Sequence, residues 1–459
     1  MSIIIPANSA VGGGFDVANS CVFNPGAKMY HEYGSATNRR TFTISLWIKK
    51  CSTTTEQNFV FAGNLSGSNP YMDARFNSDQ TINWYCSASN GSLAFNLITT
   101  RKFTDPNAWY HMVLAVDTTQ GTSSNRVRLY TNGVEETSLS TKTYPSQNFE
   151  TPVNDNNYEI QYGAVRNNTP NYNGYMCEIV EIDGQQLDPT SFGEFDEDSG
   201  IWKPISVSGL TFGDNGHYLQ FQNSAALGDD TSGNNNDFTL TNIAATDQAL
   251  DTCTNNFCVS NLLDKSSSLT LSEGNLKCTS PNDSTFRAGR ATFGITTGKW
   301  FWEVKASLVS GGDARAYVGI STSGYTDLNS YLGANAFGWG YYSNDGNKSN
   351  SGSSSSYGNS WSTNDIIGVA FDATNGTLIF YKNGTSQGTA FTGLTGETYF
   401  PTVTNYCQGG SGASVIYNFG SPPYSISSGN ADGDGYGNFE YAVPSGYFSL
   451  NTKNLAEYG

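Results

Sequence analysis

The chain has 459 residues, more than the ~250–300 residues over which a single hydrophobic core usually grows, so two domains are expected. Charged residues make up only 14% and aromatic residues 13%, a composition that favours short strands joined by tight turns over helices. The net charge of -17 would repel a polyanion, so we expect no nucleic-acid partner, and no apolar run predicts insertion into a membrane.

A clear strand pattern lies in residues 41–48, where apolar and polar side chains alternate. The alternate residues, which would share one face of a strand, are Phe42, Ile44, Leu46 and Ile48. Similar short patterns, bounded by Gly, Asn, Asp and Ser, follow along most of the chain. Since each such strand buries one side against a second sheet, the predicted fold class is all-β, with two antiparallel, jelly-roll-like β-sandwich domains joined by an irregular connector.

The two halves of the chain share one order of elements. In each, two strand patterns flank an acidic turn and lead to an Asn-Gly pair, Asn132-Gly133 in the first half and Asn383-Gly384 in the second. An Asn-Gly pair is a strong hairpin signal because both turn residues need positive φ. Between the halves the pattern weakens into polar stretches. The predicted domains are therefore residues 1–199, a connector over 200–263, and residues 264–459.

The first half resembles a LamG or concanavalin A-like jelly roll. The matching stretches are residues 42–47 (FTISLW), 109–113 (WYHMV), 129–133 (LYTNG) and 172–176 (YNGYM). The resemblance implies a domain that binds glycans or protein partners, sometimes through a calcium ion, although the fold alone establishes neither.

Three acids follow this region on one predicted strand, Glu178, Glu181 and Asp183. Jelly-roll glucanases use a similar cluster, with one carboxylate as the nucleophile and another as the acid/base. Their order resembles Glu-x-Asp-x-x-Glu, however, whereas this chain has Glu-x-x-Glu-x-Asp, so only Glu181 and Asp183 would share a face. We therefore predict no catalytic residues and expect these acids on a solvent-facing side of the strand.

Eight cysteines are spread thinly along the chain, unlike the dense cysteines of small disulfide scaffolds. Cys253 and Cys258 are the closest pair, and no histidine or second pair nearby completes a zinc site. Most cysteines are predicted to be buried thiols. The sequence leaves open whether Cys253 and Cys258 form a local disulfide.

Two polar stretches carry the oxygen-rich spacing found in calcium sites. Asp230, Asn234 and Asp237 lie in the first, and Asp432 and Asp434 begin a second that matches the start of an EF-hand loop. The bidentate glutamate expected at the twelfth position of that loop is absent. Calcium is thus a candidate ligand at both stretches, with a polar turn as the alternative, and no other cofactor is expected.

A further resemblance spans the end of the first half and the connector. Residues 182–194 (IDGQQLDPTSFGE), 200–204 (GIWKP) and 230–237 (DTSGNNND) resemble a module of phage structural proteins. This resemblance implies that the chain is part of a virion.

The second half resembles a SPRY domain. The matching stretches are residues 298–304 (GKWFWEV), 317–320 (YVGI), 365–372 (DIIGVAFD), 376–384 (GTLIFYKNG) and 418–420 (NFG). The resemblance implies a bent two-sheet sandwich that binds partners through its loops and carries no catalysis.

Aromatic side chains in the second half are candidates for ligand binding, because exposed rings stack on sugars and anchor protein interfaces. They are Trp339, Tyr341, Tyr342, Tyr357 and Trp361. The alternative is that residues 338–341 form a core strand.

Together these features predict a phage virion protein, a tail-fibre or host-recognition subunit that binds a cell-surface glycan or protein. A capsid decoration protein is the first alternative, and a depolymerase of surface polysaccharide, testable at Glu181, is the second. The expected partners are other virion proteins, with the chain as a homo-oligomer on the tail or capsid surface after assembly in the host cytoplasm.

Overall fold

The computed structural model describes residues 14–66, 69–165, 169–308, 313–410 and 412–459. These residues form two compact units that divide between Thr254 and Asn255. Residues 1–13 of the predicted first domain lie outside the described residues. Both units are built from sheets whose strands are antiparallel except for one short parallel pairing, which confirms the all-β sandwich fold. In the described part of the chain, no helix has the length and apolar character needed to cross a membrane.

The strands of the N-terminal unit are short and numbered in chain order. They are β1 (Ser20–Phe23), β2 (Lys28–Glu32), β3 (Thr41–Lys50), β4 (Gln57–Gly63), β5 (Tyr71–Phe76), β6 (Thr81–Ser87), β7 (Leu93–Lys102), β8 (Tyr110–Asp117), β9 (Val127–Thr131), β10 (Val134–Glu135), β11 (Leu139–Thr143), β12 (Glu159–Tyr162), β13 (Ala164–Val165), β14 (Thr169–Pro170), β15 (Gly174–Asp183), β16 (Gly193–Phe195), β17 (Trp202–Pro204), β18 (His217–Leu219), β19 (Thr239–Thr241) and β20 (Gln248–Ala249). Single 3-10 turns occupy Ser123–Asn125, Pro189–Ser191 and Ala245–Asp247.

Two sheets face each other in this unit. The first has the order β10-β9-β8-β3-β15-β1-β20, with β18 also paired to β15, and the second has the order β11-β7-β6-β5-β4-β12-β2-β19. The predicted inward side chains of β3 lie in the core between the sheets, at Phe42, Ile44, Leu46 and Ile48. The alternation in the sequence therefore identified the core face of this strand correctly.

The outer face of the first sheet is also buried. Trp47 points outward from β3 and packs in an apolar cluster with Trp202 and Ala249. β18 and β20 extend the same sheet by pairing with β15 and β1. Residues 200–254, expected to belong to a connector, are thus part of the N-terminal unit, because the apolar outer face of its first sheet needs a cover.

Both predicted Asn-Gly hairpins are present. Asn132 and Gly133 have φ values of 48° and 78° and connect β9 to β10. Asn383 and Gly384 have φ values of 48° and 77° in the C-terminal unit, between Lys382 and Thr385. Positive φ at both turn positions is the geometry for which Asn-Gly is selected.

The C-terminal unit contains the remaining strands and one short helix. They are β21 (Ser260–Lys265), β22 (Thr270–Ser272), β23 (Lys277–Ser280), β24 (Arg287–Ala291), β25 (Lys299–Leu308), β26 (Asp313–Ser321), β27 (Gly338–Tyr342), β28 (Lys348–Asn350), β29 (Ser353–Ser355), β30 (Ile366–Asp372), β31 (Thr377–Lys382), β32 (Thr385–Phe391), β33 (Phe400–Gln408), β34 (Ala413–Asn418), β35 (Phe448–Ser449) and α1 (Thr452–Tyr458). One sheet has the order β21-β24-β33-β26-β27-β28-β29, and the other has the order β22-β23-β34-β25-β30-β31-β32, with β35 beside β25. Their shared core includes Trp300, Trp302 and Phe371.

Candidate functional site

Three of the five predicted ligand-binding aromatics meet inside the C-terminal sandwich. The ring of Tyr341 lies 5.4 Å from that of Tyr357, 6.1 Å from that of Trp361 and 5.2 Å from that of Phe380. Tyr341 is 0% exposed and Trp361 is 3% exposed. The expectation of exposed ring faces does not hold at these two positions, because the rings are packed in the core.

Trp339 and Tyr357 are half-buried. Trp339 packs edge-on against Tyr399 at 5.6 Å, and the Tyr357 hydroxyl donates to the Gly388 carbonyl oxygen at 2.5 Å. Trp361 forms part of the wall of an open cleft of about 460 Å³ with Ser343 and Lys382. Trp339 and Tyr357 both pack against the core of the sandwich.

Tyr342 points to the opposite side of the sheet from Tyr341, as successive residues of a strand must. It lies directly opposite Tyr317, with ring centroids 4.3 Å apart. Tyr331 stacks on Tyr317 at 5.5 Å, and Phe286 lies 5.7 Å from Tyr317. We call the rings on this outer face the aromatic surface; its members are Phe286, Tyr317, Tyr331, Tyr342 and Tyr406.

The sheet order explains why residues so distant in sequence meet. β24, β33, β26 and β27 are neighbours, so outward side chains from four chain segments lie side by side. Tyr406 on β33 is opposite Arg315 on β26, and Phe286 immediately precedes β24. Tyr331 is contributed by the loop between β26 and β27.

The centre of the aromatic surface is packed and its rim is accessible. Tyr317 and Tyr342 are 7% and 9% exposed, whereas Phe286, Tyr331 and Tyr406 are half-buried. Burial raises the pKa of both Tyr317 and Tyr342 above its usual value.

Two arginines flank the rings. The Arg315 guanidinium lies 5.3 Å from the ring centroid of Tyr406 and donates to the Tyr342 hydroxyl at 3.2 Å. Its hydrogen bonds to the Asp313 carboxylate raise the pKa of Arg315 above its usual value. Arg287 pairs with Asp283. Aromatic rings beside arginines form the kind of surface on which protein interfaces concentrate their binding energy.

Asp432 and Asp434 begin one of the two predicted calcium stretches. In the structure, Asp432 holds its loop in place by hydrogen bonds. The Asp432 carboxylate accepts hydrogen bonds from the backbone N–H groups of Asp434, Tyr436 and Ser449 and from the side chain of Asn454. Its two oxygens are thus already used by donors, and Asp434 is exposed.

Asp230, Asn234 and Asp237 are arranged in the same way. The Asp230 carboxylate accepts from the N–H groups of Tyr218 and Asn236, and Asp237 accepts from the N–H of Asp230. The Asn234 amide donates to backbone carbonyls of the loop before β18. Over the ranges that the structure describes, no group of three or more His, Cys, Asp or Glu side chains is placed to hold a metal ion.

Glu178, Glu181 and Asp183 are buried, contrary to the expected solvent-facing placement. Residues 200–254 cover this strand from the outside, and Tyr33 donates to Glu181 at 3.1 Å from within. Burial raises the pKa of Glu181 and lowers that of His217, 3.6 Å away, to about 3. Burial therefore disfavours the charged form of both groups, which weakens any ion pair between them.

Family models match both units. The SPRY domain model matches residues 299–422. The chain contains a SPRY domain. A model described as the concanavalin A-like lectin/glucanases superfamily matches residues 26–181, so a concanavalin A-like domain precedes the SPRY domain. Both sequence resemblances to these domains are confirmed.

Relatives with known names share about a third of the chain. Ran-binding protein 9 of Xenopus laevis is 34% identical over 169 residues, which are 35% of this chain and 30% of the relative. Ran-binding protein 10 of Danio rerio is 34% identical over 168 residues, 35% of this chain and 27% of the relative. The chain thus spans less than a third of the length of these relatives. The solved SPRY domain of human HERC1 is 21% identical, with a TM-score of 0.30, over 34% of this chain and 96% of that one.

The prediction of a phage virion protein is wrong. The matched relatives are Ran-binding proteins of animals, and nothing among them points to a virus. This finding overturns the tail-fibre, capsid-decoration and depolymerase interpretations, together with the virion and host-surface partners and the virion location. The stretches that prompted them, such as residues 200–204, have a structural role, because they cover the first sheet of the concanavalin A-like domain.

Proposed function

We propose that the chain is a binding protein without catalytic activity, and that its SPRY domain holds a segment of a partner protein against the aromatic surface. One observation carries this proposal. Three half-buried rings, Phe286, Tyr331 and Tyr406, surround the packed pair of Tyr317 and Tyr342. A rigid cluster of this kind offers apolar area and hydroxyl groups while losing little entropy on binding.

Support for a role without catalysis comes from the acids of the concanavalin A-like domain. Glu181 is 0% exposed and bonded to Tyr33, and Glu178 is bonded to the hydroxyl of Tyr218. Substrate cannot reach these buried carboxyl groups without displacing the residues that cover them. The sequence offers no better arrangement of nucleophile and base.

The test measures binding to the full chain with two kinds of probe. The matched relatives are named for binding Ran, so purified Ran is one probe, and a display library of short random peptides is the other. We expect Tyr406→Ala to weaken the selected interaction about tenfold or more. Phe337→Ala is the matched control, because Phe337 is an exposed ring of the same domain outside the aromatic surface.

We expect Phe337→Ala to bind within about twofold of the wild type, because Phe337 lies outside the aromatic surface. The proposal is overturned if neither Ran nor any peptide binds the wild-type chain. It is overturned equally if every selected ligand binds Tyr406→Ala as tightly as it binds the wild type.

A further inference from the structure

Two cysteines far apart in sequence have their sulfur atoms in contact. Cys177 on β15 and Cys253 in the turn after β20 have Sγ atoms 3.8 Å apart, across 76 positions of the chain. Both are free thiols and both are 0% exposed. Cys258, the sequence neighbour considered as a partner for Cys253, lies in the core of the SPRY domain instead.

The surroundings hold this pair in place. The hydroxyl of Thr254, next to Cys253, accepts from the Val17 N–H at 3.0 Å. Asp251, two residues before Cys253, is bonded to the buried Lys49 ammonium at 2.6 Å. Cys177 is fixed by its strand, where it pairs with Trp47. The contact between the two sulfurs is therefore a property of the packed cluster and does not depend on a loose loop.

We propose that Cys177 and Cys253 form an intramolecular disulfide when the chain meets a disulfide oxidant such as glutathione disulfide. One cysteine thiolate attacks a sulfur of glutathione disulfide, breaks its S–S bond and releases the first glutathione. The second cysteine then attacks the protein sulfur of this mixed disulfide and releases the second glutathione. The protein loses two protons and two electrons, and glutathione disulfide is reduced to two thiols.

The reduced and the disulfide-bonded forms of the folded chain differ little in the positions of the two sulfur atoms. The sulfurs must approach from 3.8 Å to about 2.05 Å. Burial raises the pKa of Cys253, so its thiolate is scarce and the reaction proceeds through local opening of the turn. Once formed, the bond would join the last turn of the concanavalin A-like domain to a central strand of its first sheet.

The experiment maps thiols in the full chain without reduction. The protein is incubated with glutathione disulfide in dilute urea, alkylated, digested and analysed by mass spectrometry. We expect one predominant cross-linked peptide that joins Cys177 to Cys253, with the other cysteines alkylated. The closed loop should also raise the Tm by about 5 °C or more.

Two variants provide controls. Cys258→Ser should leave the cross-link unchanged, whereas Cys177→Ser should abolish it. A predominant cross-link between Cys253 and Cys258 would overturn the proposal, and so would complete alkylation of all eight cysteines after the oxidant has acted. Mapping of the wild-type chain decides between these results even if Cys177→Ser fails to fold.

Discussion

Tyr317 and Tyr342 lie directly opposite each other on β26 and β27, with their ring planes only 12° from parallel. This pair sits on the outer face of its sheet, outside the core between the two sheets. A buried stack on an outer face gives the surrounding rings a rigid base. The rim residues can therefore contact a partner without rearrangement of the sheet.

The stack predicts a difference in stability between two tyrosine variants. Tyr317→Ala should destabilise the SPRY domain by about 3–5 kcal/mol, because it removes a buried ring from between two others. Tyr406→Ala, at the half-buried rim, should cost about 1 kcal/mol. Hydrogen exchange of the β26 and β27 amides, followed by mass spectrometry, measures both changes in the full chain. Equal protection in the two variants would contradict this placement of the rings.

The hydrogen bonds accepted by Asp432 lead to a prediction about metal removal. Asp432→Ala should destabilise the SPRY domain by about 2–4 kcal/mol, since several buried donors lose their acceptor. Asp434→Ala, at an exposed position, should change stability by less than about 0.5 kcal/mol. We expect a chelator to leave the Tm of the wild-type chain unchanged. A Tm that falls with chelator and also falls in Asp434→Ala would indicate a calcium site.

Glu178 predicts a pH dependence of stability. Burial raises its pKa from 4.5 to about 7, while the hydrogen bond from Tyr218 lowers it. Below pH 4.5 the carboxyl group is protonated in both the folded and unfolded states, so it adds no pH dependence. Between pH 4.5 and about 7 the unfolded state ionises first, and the free energy of unfolding falls as pH rises.

Glu178→Gln removes this titration. The variant should match the wild type near pH 4 and be more stable above pH 7, by up to about 3 kcal/mol. Urea unfolding at several pH values, followed by a probe in the concanavalin A-like domain, gives the comparison. A constant difference between the two proteins at all pH values would show that Glu178 is not the group responsible.

The contacts of Trp202 provide a test of whether residues 200–254 belong to the concanavalin A-like domain. Its indole N–H donates to His111 at 3.0 Å, and its ring packs with Trp47. Trp202→Ala should therefore cost about 3–5 kcal/mol. Phe195→Ala is the control, because Phe195 packs on Trp202 but is 51% exposed. Similar losses in both variants would argue against this role for the segment.

Local sequence patterns predicted the parts of the fold that depend on local chemistry. The alternation at Phe42 and Ile44 identified a core face, and the Asn132-Gly133 pair identified a hairpin. The role of Trp202 was not predictable in this way, because it depends on a sheet face that forms from distant strands.

The candidate site was predicted only in part for the same reason. Tyr342 was named, but Tyr317, Phe286, Tyr331 and Tyr406 were missed, since sheet order alone brings them together. One signal was present in the sequence. Tyr341 and Tyr342 are adjacent in a strand and must face opposite sides, so one of them had to lie outside the core.

The most direct test of the binding surface is hydroxyl-radical footprinting of the full chain with and without a selected ligand. Oxidation of Phe286, Tyr331 and Tyr406 should fall when the ligand is bound, while the exposed Phe337 is oxidised as before. Unchanged oxidation of all three rim residues, with protection elsewhere in the chain, would contradict this prediction.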